Sequence, residues 1–489
     1  MQRSLYGDIY EIQEAVYKQY RDLGLKIDPM DNSDGKQIPS TFINEYFQEL
    51  SKEHGDIYTV FLPIPVVVLT SFEAIKEALV KKGDVFAGRP QLYPERFFQP
   101  NRNSGVIFSQ KENWVSQRRI TLHALRDFGM GKNLMEEKIN ASVNDMLEWV
   151  EKNRHTLINF HWPIQIAIAN IINEIVFGFT TSYENSTQFQ KVIGHLDESM
   201  RKIRADKRIF IYQYFTHNEW LINIFKKVMK IRGVEDQRLF LNAVQNKVNQ
   251  VVKDWEKETE PMNFIHYYLN KIDTNGGDLN LTELHSIVAD LMLAGMETTT
   301  STCIWAVNLL GAYQDKQDKM RNEILRVIGS DVIITMKDKA RLPYCSAAIS
   351  EIQRYANILP LNVAHSTLED TEIRGLKIPK GTMVFPQIYN VMKYDKEFVD
   401  ADNFIPERFL NEDMTTINKS ISEKLIPFSM GKRQCVGEGM AVMELFLIIT
   451  RLVQKYKLAA PSGKEGPSLK RQFGSVMRPP YYDFEVTPV

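Results

Sequence analysis

Pro427-Phe-Ser-Met-Gly-Lys-Arg-Gln-Cys-Val-Gly-Glu-Gly-Met-Ala441 is the stretch on which the reading of this chain turns. A cysteine stands in a glycine-punctuated loop that leads into an apolar helix. Gly431 and Gly437 permit backbone turns closed to other residues and let a flat ligand approach closely. Backbone N–H groups of such a loop, the helix N-terminus and Arg433 all favour the thiolate form of Cys435. A lone cysteine is more often a small buried hydrophobe. Here, however, the string F-x-x-G-x-R-x-C-x-G is complete in Phe428, Gly431, Arg433, Cys435 and Gly437, and that specificity overrides the bland reading.

Working outward, the composition excludes several classes. The chain has 489 residues, 44% hydrophobic and 25% charged, with 25 Gly and 20 Pro, which rules out a disordered or collagen-like polypeptide. Lys+Arg 60 against Asp+Glu 61 gives a net charge of −1, so no global field points to nucleic acid. Cys303, Cys345 and Cys435 are far apart and form no C-x-x-C, which argues against a disulfide framework or structural zinc and for an intracellular setting. The first forty residues hold no run apolar enough for a signal peptide or spanning helix. Phe210–Phe215 and Trp220–Phe225 lie between basic clusters. They read as an amphipathic helix over a core or as a segment lying on a membrane surface.

No linker or repeat divides the chain. Ile57–Leu62 and Val66–Thr70 read as strands, and Thr70-x-x-Glu73 as the capping box of a helix to about Lys81. From about 110 to 330 the periodicity is helical. The longest helix starts at the Asn280-x-x-Glu283 box and runs to about Ala312, long enough to cross a whole domain. Beyond Pro360 come short strands such as Glu372–Ile378 and Thr382–Phe385, then coil past Cys435 and a final helix, Val442–Gln454. The expectation is one large domain, mainly α with a minor β portion.

On the long helix, Leu293-Ala-Gly-Met-Glu-Thr-Thr-Thr300 places Ala294 and Gly295 where they leave room over a flat cofactor. Glu297 and Thr298 add an acid and a hydroxyl able to manage protons. The plain alternative is a small-residue packing patch with threonines bonded back to their helix. Glu351-Ile-Gln-Arg354 sets acid and base on one helical face, by composition an ordinary solvated pair. A thiolate is a strong axial donor to haem iron and favours O–O cleavage. Trp114-x-x-x-Arg118 puts an indole and a guanidinium one helical turn apart on the same face.

From about Phe47 to the C-terminus these motifs, in this order, resemble the cytochrome P-450 superfamily of haem-thiolate monooxygenases, and most of all its animal microsomal drug- and lipid-oxidising type. The resemblance implies a single domain over residues 47–489, with 1–46 as an N-terminal segment. It implies haem b between the long helix and the loop, with Cys435 as metal ligand and Thr298 and Glu297 as the oxygen- and proton-handling pair. By the same resemblance Arg89, Trp114, Arg118, Ala294, His365, Phe428, Gly431, Arg433 and Gly437 contact the cofactor. Glu351, Arg354 and Arg408 form a buried structural network. The substrate pocket would be lined by Phe97, Phe98, Met292, Leu293, Leu359, Val363, Ser475 and Val476, apolar enough for a lipophilic substrate.

No flavin or dinucleotide fingerprint is present. The resemblance therefore implies electrons from an NADPH-dependent diflavin reductase, with cytochrome b5 as a second donor, O2 as co-substrate and a docking face near Lys424 and Lys432. Microsomal members begin with an apolar anchor and a proline-rich hinge. This chain shows neither, so peripheral contact with the cytoplasmic face of the endoplasmic reticulum or a shortened product is expected. Ala364 precedes His365 where the family usually has proline. A haem-thiolate isomerase or dehydratase, and a non-catalytic haem or lipid binder, are the alternatives.

Overall fold

The apolar segment after Asn280 folds into one helix, Leu281–Ala312, around which the other elements pack. The structure is a computed structural model that describes residues 27–28, 43–61, 64–91, 98–99, 101–130, 133–205, 233–256, 260–275, 279–473 and 476–489. Among them, β1 (Ile27–Asp28), α1 (Ile43–His54), β2 (Ile57–Phe61) and β3 (Pro65–Leu69) come first. α2 (Phe72–Lys76) then passes directly into a π-helical turn, Glu77–Lys81. A helical series follows: α3 (Lys111–Asp127), α4 (Asn133–Asn153), the short β4 (Ile158–Asn159), α5 (His161–Phe177), α6 (Thr187–Ala205), α7 (Val234–Asp254), α8 (Phe264–Asn275) and the long α9 (Leu281–Ala312). After it come α10 (Gln314–Val327), α11 (Pro343–Ala356), β5 (His365–Ser366), β6 (Thr371–Ile373), β7 (Leu376–Ile378), β8 (Met383–Pro386), α12 (Ile388–Tyr394) and α13 (Lys419–Lys424). The chain ends with α14 (Glu438–Lys455), β9 (Tyr456–Ala459), β10 (Gln472–Phe473), β11 (Met477–Arg478) and β12 (Asp483–Pro488).

One mixed sheet has the order β1-β2-β3-β8-β5, with Val66 opposite Met383 in the parallel β3/β8 pair and His365 opposite Val384 at the edge. The principal core joins α4, α5, α9, α11 and α14 through residues such as Met146, Ile168, Trp305, Ile352 and Phe446. A second core beneath the sheet holds Val67, Ile75, Leu79, Ile378 and Val391. Among the described residues no helix is long and apolar enough to cross a membrane.

The cap of α9 forms as the sequence predicts: the Asn280 side chain accepts from Glu283 N at 3.0 Å. The reciprocal half of the box is redirected. Glu283 accepts from Gly105 N at 3.0 Å and from Asn113 Nδ2 at 3.1 Å, tying the approach to α3 onto α9.

Local expectations fail in three places. The α2 cap is Ser71, whose hydroxyl accepts from Ala74 N, because Thr70 instead donates to the Asp56 carbonyl. Glu372–Ile378 is not one strand. Arg374 (φ 49°) and Gly375 (φ 82°) turn it into the β6–β7 hairpin. The last helix begins at Glu438, four residues early, since Gly439 packs against Met130 without breaking the first turn. The aromatic stretch 210–230, Phe97 and Ser475 lie outside the described residues.

Candidate active site

Two long-range contacts and one within the loop shape the cysteine segment. Gly431 has φ +75°, and a Cβ there would fall onto the Leu79 carbonyl oxygen of the π-turn, so only glycine lets the loop seat on that turn. Ser429 also takes a positive φ of 63°, and its hydroxyl accepts from Asn362 Nδ2 at 2.7 Å. Within the loop, Cys435 N donates to the Phe428 carbonyl at 3.0 Å, closing it upon itself. Gly437 has an ordinary φ of −90°, so the conformational reason expected for it does not hold. A Cβ at Gly437 would meet no protein atom within 4 Å.

The Cys435 thiol is accessible although protein surrounds it on nearly every side, so it faces interior space. Burial pushes the thiol up. The Gly437 N–H, the Arg118 guanidinium and the Glu438 N–H pull it down, and the Glu438 charge opposes them. The cation that acts on the sulfur is therefore Arg118. Arg433, expected in that role, turns away: it donates to Ala87 O at 2.8 Å and Ser109 O at 2.6 Å and lies 3.9 Å over the Trp114 ring. Arg118 is anchored by donating to Gln434 O at 2.7 Å.

Arg89, Trp114, Arg433 and His365 are all buried, and Arg118 is largely so. Arg89 donates to the carbonyls of Ile107 at 3.1 Å and Ala364 at 2.8 Å. His365 donates through Nδ1 to Phe86 O at 2.7 Å and is held neutral by burial and by Arg89. Burial and mutual repulsion bring Arg433 down to about 7 and Arg89 to about 9. Among the described residues no carboxylate pairs with any of these three arginines. Arg433 Nη1 and Trp114 Nε1 are buried without a hydrogen-bond partner among the described residues. Buried cations persist only when paired. The donors are thus arranged for a ligand with anionic arms, and haem, whose propionates supply two carboxylates and whose metal takes one thiolate, fits them.

On α9, Ala294 is accessible while Met292, Met296 and Glu297 are buried, so the middle of this core helix also opens onto interior space. Thr298, one turn on, donates its hydroxyl to Ala294 O at 2.7 Å. Glu297 accepts from Ser301 at 3.3 Å, and its charge is felt at Tyr481. Successive helical residues point about 100° apart, so the acid and the hydroxyl leave α9 on different sides. Gly295 does not serve cofactor clearance. A Cβ there would lie 2.6 Å from Ile172 Cδ1, and the glycine lets α5 and α9 approach.

The Glu351/Arg354 pair is buried, not solvated. Arg354 Nε donates to Glu351 at 2.7 Å, Arg408 Nε lies 3.2 Å from the same carboxylate, and Arg354 also donates to the carbonyls of Met392 and Ala401. Of the expected pocket residues, Phe98, Met292 and Val476 are buried, whereas Leu293, Leu359 and Val363 are half-buried. Lys424, expected on a docking face, is engaged by Asp395 at 2.7 Å and Glu73 at 3.3 Å, and Lys432 pairs with Asp84.

Asp290 and Glu444 are buried carboxyls that escaped the sequence reading. Asp290 on α9 accepts from Val106 N at 2.7 Å and Ile107 N at 2.8 Å. Glu444 on α14 accepts from the Thr299 hydroxyl at 3.1 Å. The available signal was one acid inside an apolar run, Ile287–Leu293 and Met443–Leu447.

The family model described as Cytochrome P450 matches residues 34–486. Cytochrome P450 2H1 of Gallus gallus is 35% identical over 420 residues, 84% of this chain and 82% of that protein. Cytochrome P450 2G1 of Oryctolagus cuniculus is 35% identical over 428 residues, covering 86% and 84%. Cytochrome P450 2C44 of Mus musculus is 32% identical over 466 residues, covering 93% and 90%.

Proposed function

The chain belongs to the cytochrome P450 family, and from that premise we propose that it oxidises lipophilic small molecules with electrons from a separate NADPH-dependent diflavin reductase. The enzyme is a cytochrome P450 monooxygenase of the xenobiotic and lipid type, with haem as cofactor and with a redox partner, dioxygen and an organic substrate. When bound, the haem supplies reductive cleavage of dioxygen and transfer of one oxygen atom to the substrate, the other leaving as water.

The remaining tasks fall to the chain. Cys435 would hold the haem iron through its sulfur, which is addressed by the Gly437 and Glu438 N–H groups and by Arg118. Arg89, Arg118 and Arg433 neutralise the propionates, with Trp114 and His365 completing that shell. Phe428 and Gly431 hold the loop, and Ala294 and Gly437 leave the ring unobstructed. Thr298 positions oxygen and water on the accessible face of α9, and the buried Glu297 relays protons to it. Glu351, Arg354 and Arg408 brace the segment behind the loop. Residues 47–489 form the monooxygenase domain. Phe97, Phe98, Met292, Leu293, Leu359, Val363, Ser475 and Val476 shape the substrate pocket. Xenobiotics, fatty acids and steroid-like molecules are the substrate class, cytochrome b5 is a second electron donor, and the cytoplasmic face of the endoplasmic reticulum is the site of action.

The observation that carries this reading is the accessible, enclosed thiol, with Arg118 acting on it, together with the buried Arg89 and Arg433, none of these three guanidiniums paired with a carboxylate among the described residues. The test is the absorption spectrum of the dithionite-reduced protein under carbon monoxide, with Cys435→Ser as control. A strongly red-shifted Soret band that disappears in the variant is the expected result. An unshifted band, or folded protein without haem, would overturn the assignment. Thr298→Ala then separates monooxygenation from isomerisation, since only the former loses turnover.

A further inference from the structure

Glu444 lies on α14, the helix that starts three residues after Cys435. It is fully buried, and its Oε2 takes the Thr299 hydroxyl at 3.1 Å, Thr299 itself being buried on α9. Its other oxygen, Oε1, is buried with no hydrogen-bond partner among the described residues. Burial raises the carboxyl to about 8, opposed only by the Thr299 hydrogen bond, so at neutral pH it is the uncharged acid. Cys303, one turn along α9 from Thr299, feels the same group. A neutral acid contributing one cross-helix bond and leaving an oxygen unpaired is a poor device for stability alone, because an apolar side chain would fill the space without that cost.

We propose that Glu444 is a positioning residue for oxygen activation: through Thr299 it locks the rotation of α9 against α14, the helix that follows the cysteine loop, and so fixes where Ala294 and Thr298 face. The bond falls on the residue immediately after Thr298. Rotation of α9 would shift the Thr298 hydroxyl relative to the accessible face without bringing Thr299 there, since successive helical residues point about 100° apart. No other hydrogen bond between the side chains of α9 and α14 is made among the described residues, so nothing else of that kind holds this angle. The inference rests on the role assigned to Thr298 above.

The experiment compares holoenzyme carrying Glu444→Leu, Glu444→Gln, Thr299→Val and the Glu444→Leu/Thr299→Val double change. Hydrogen peroxide released per NADPH consumed is measured with the purified reductase, beside the reduced carbon monoxide spectrum and the thermal midpoint. Glu444→Leu should keep the red-shifted band and raise peroxide release roughly fivefold, the population change expected when one ordinary hydrogen bond is lost. Thr299→Val should do the same, the double variant should be no worse than either single one, and Glu444→Gln should restore the wild-type ratio. A folded, haem-loaded Glu444→Leu with an unchanged ratio overturns the proposal, as does full additivity in the double variant. Should Glu444→Leu lose haem, Thr299→Val decides alone. If Thr298→Ala also leaves the ratio unchanged, the fault lies in the role given to Thr298. If only the Glu444 and Thr299 variants are silent, the positioning inference fails.

Discussion

Replacing Asp290 by Asn keeps the shape of a buried side chain and removes its charge, and the structure sets both the sign and the size of the effect. One oxygen, Oδ2, takes both the Val106 and Ile107 N–H groups, so the Asn carbonyl can accept the same two bonds. Burial raises the wild-type carboxyl to about 7, with Glu283 adding to the rise and the two N–H donors opposing it. The unfolded carboxyl ionises near 4, so between about 4 and 7 the native state holds a proton that the unfolded chain has released, and stability falls as pH rises through that window. At about 1.4 kcal/mol per pH unit the loss totals roughly 4 kcal/mol. With about 2 cal/mol/K of unfolding entropy per residue, a chain of 489 residues shifts its midpoint on the order of 1 °C per kcal/mol. Thermal unfolding of the wild type and Asp290→Asn from pH 5 to pH 8 should therefore show the variant gaining about 2–3 °C on the wild type across the series. Parallel curves would refute the assignment of the titrating group. A variant less stable at pH 8 would show that the Asn amide cannot occupy the carboxylate's place.

Gly431→Ala must break either its positive φ or its seat on Leu79 O. It should cost about 3 kcal/mol or more and abolish the red-shifted carbon monoxide band in whatever protein remains folded; a normal haem content would contradict the seating described. Gly295→Ala meets only the tip of Ile172, so its cost should be about 1–2 kcal/mol and should be largely relieved by Ile172→Val in the double variant, read as recovery of the thermal midpoint.

The features legible in the sequence were those set by local chemistry. The Asn280 cap and the apolar run after it fixed α9 nearly to the residue, and the string around Cys435 marked the loop. What remained hidden depended on partners far along the chain. Glu351 and Arg354 look like a surface pair until the carbonyls of Met392 and Ala401 enclose them. Gly295 reads as cofactor clearance until Ile172 occupies the space, and Arg433 reads as the thiolate's cation until Ala87 and Ser109 draw it away. Ser71 displaced Thr70 as a cap because the Asp56 carbonyl had already claimed the threonine. The buried acids Asp290 and Glu444 were visible as oddities in apolar runs, but their donors on another segment were not.

The seating of the cysteine loop bears on how the enzyme is made. Gly431 rests on Leu79, Arg433 bonds to Ala87 across 346 residues, and Arg118 bonds to Gln434 across 316. Each half of the cofactor cradle is therefore synthesised without the other for most of translation. The N-terminal half must wait on the ribosome with Trp114 and its arginines unpaired until the last tenth or so of the chain emerges. Contacts of such sequence separation form late, so the cradle cannot be complete before the cysteine loop has emerged, and nascent chains stalled before residue 435 should leave the ribosome unable to retain haem.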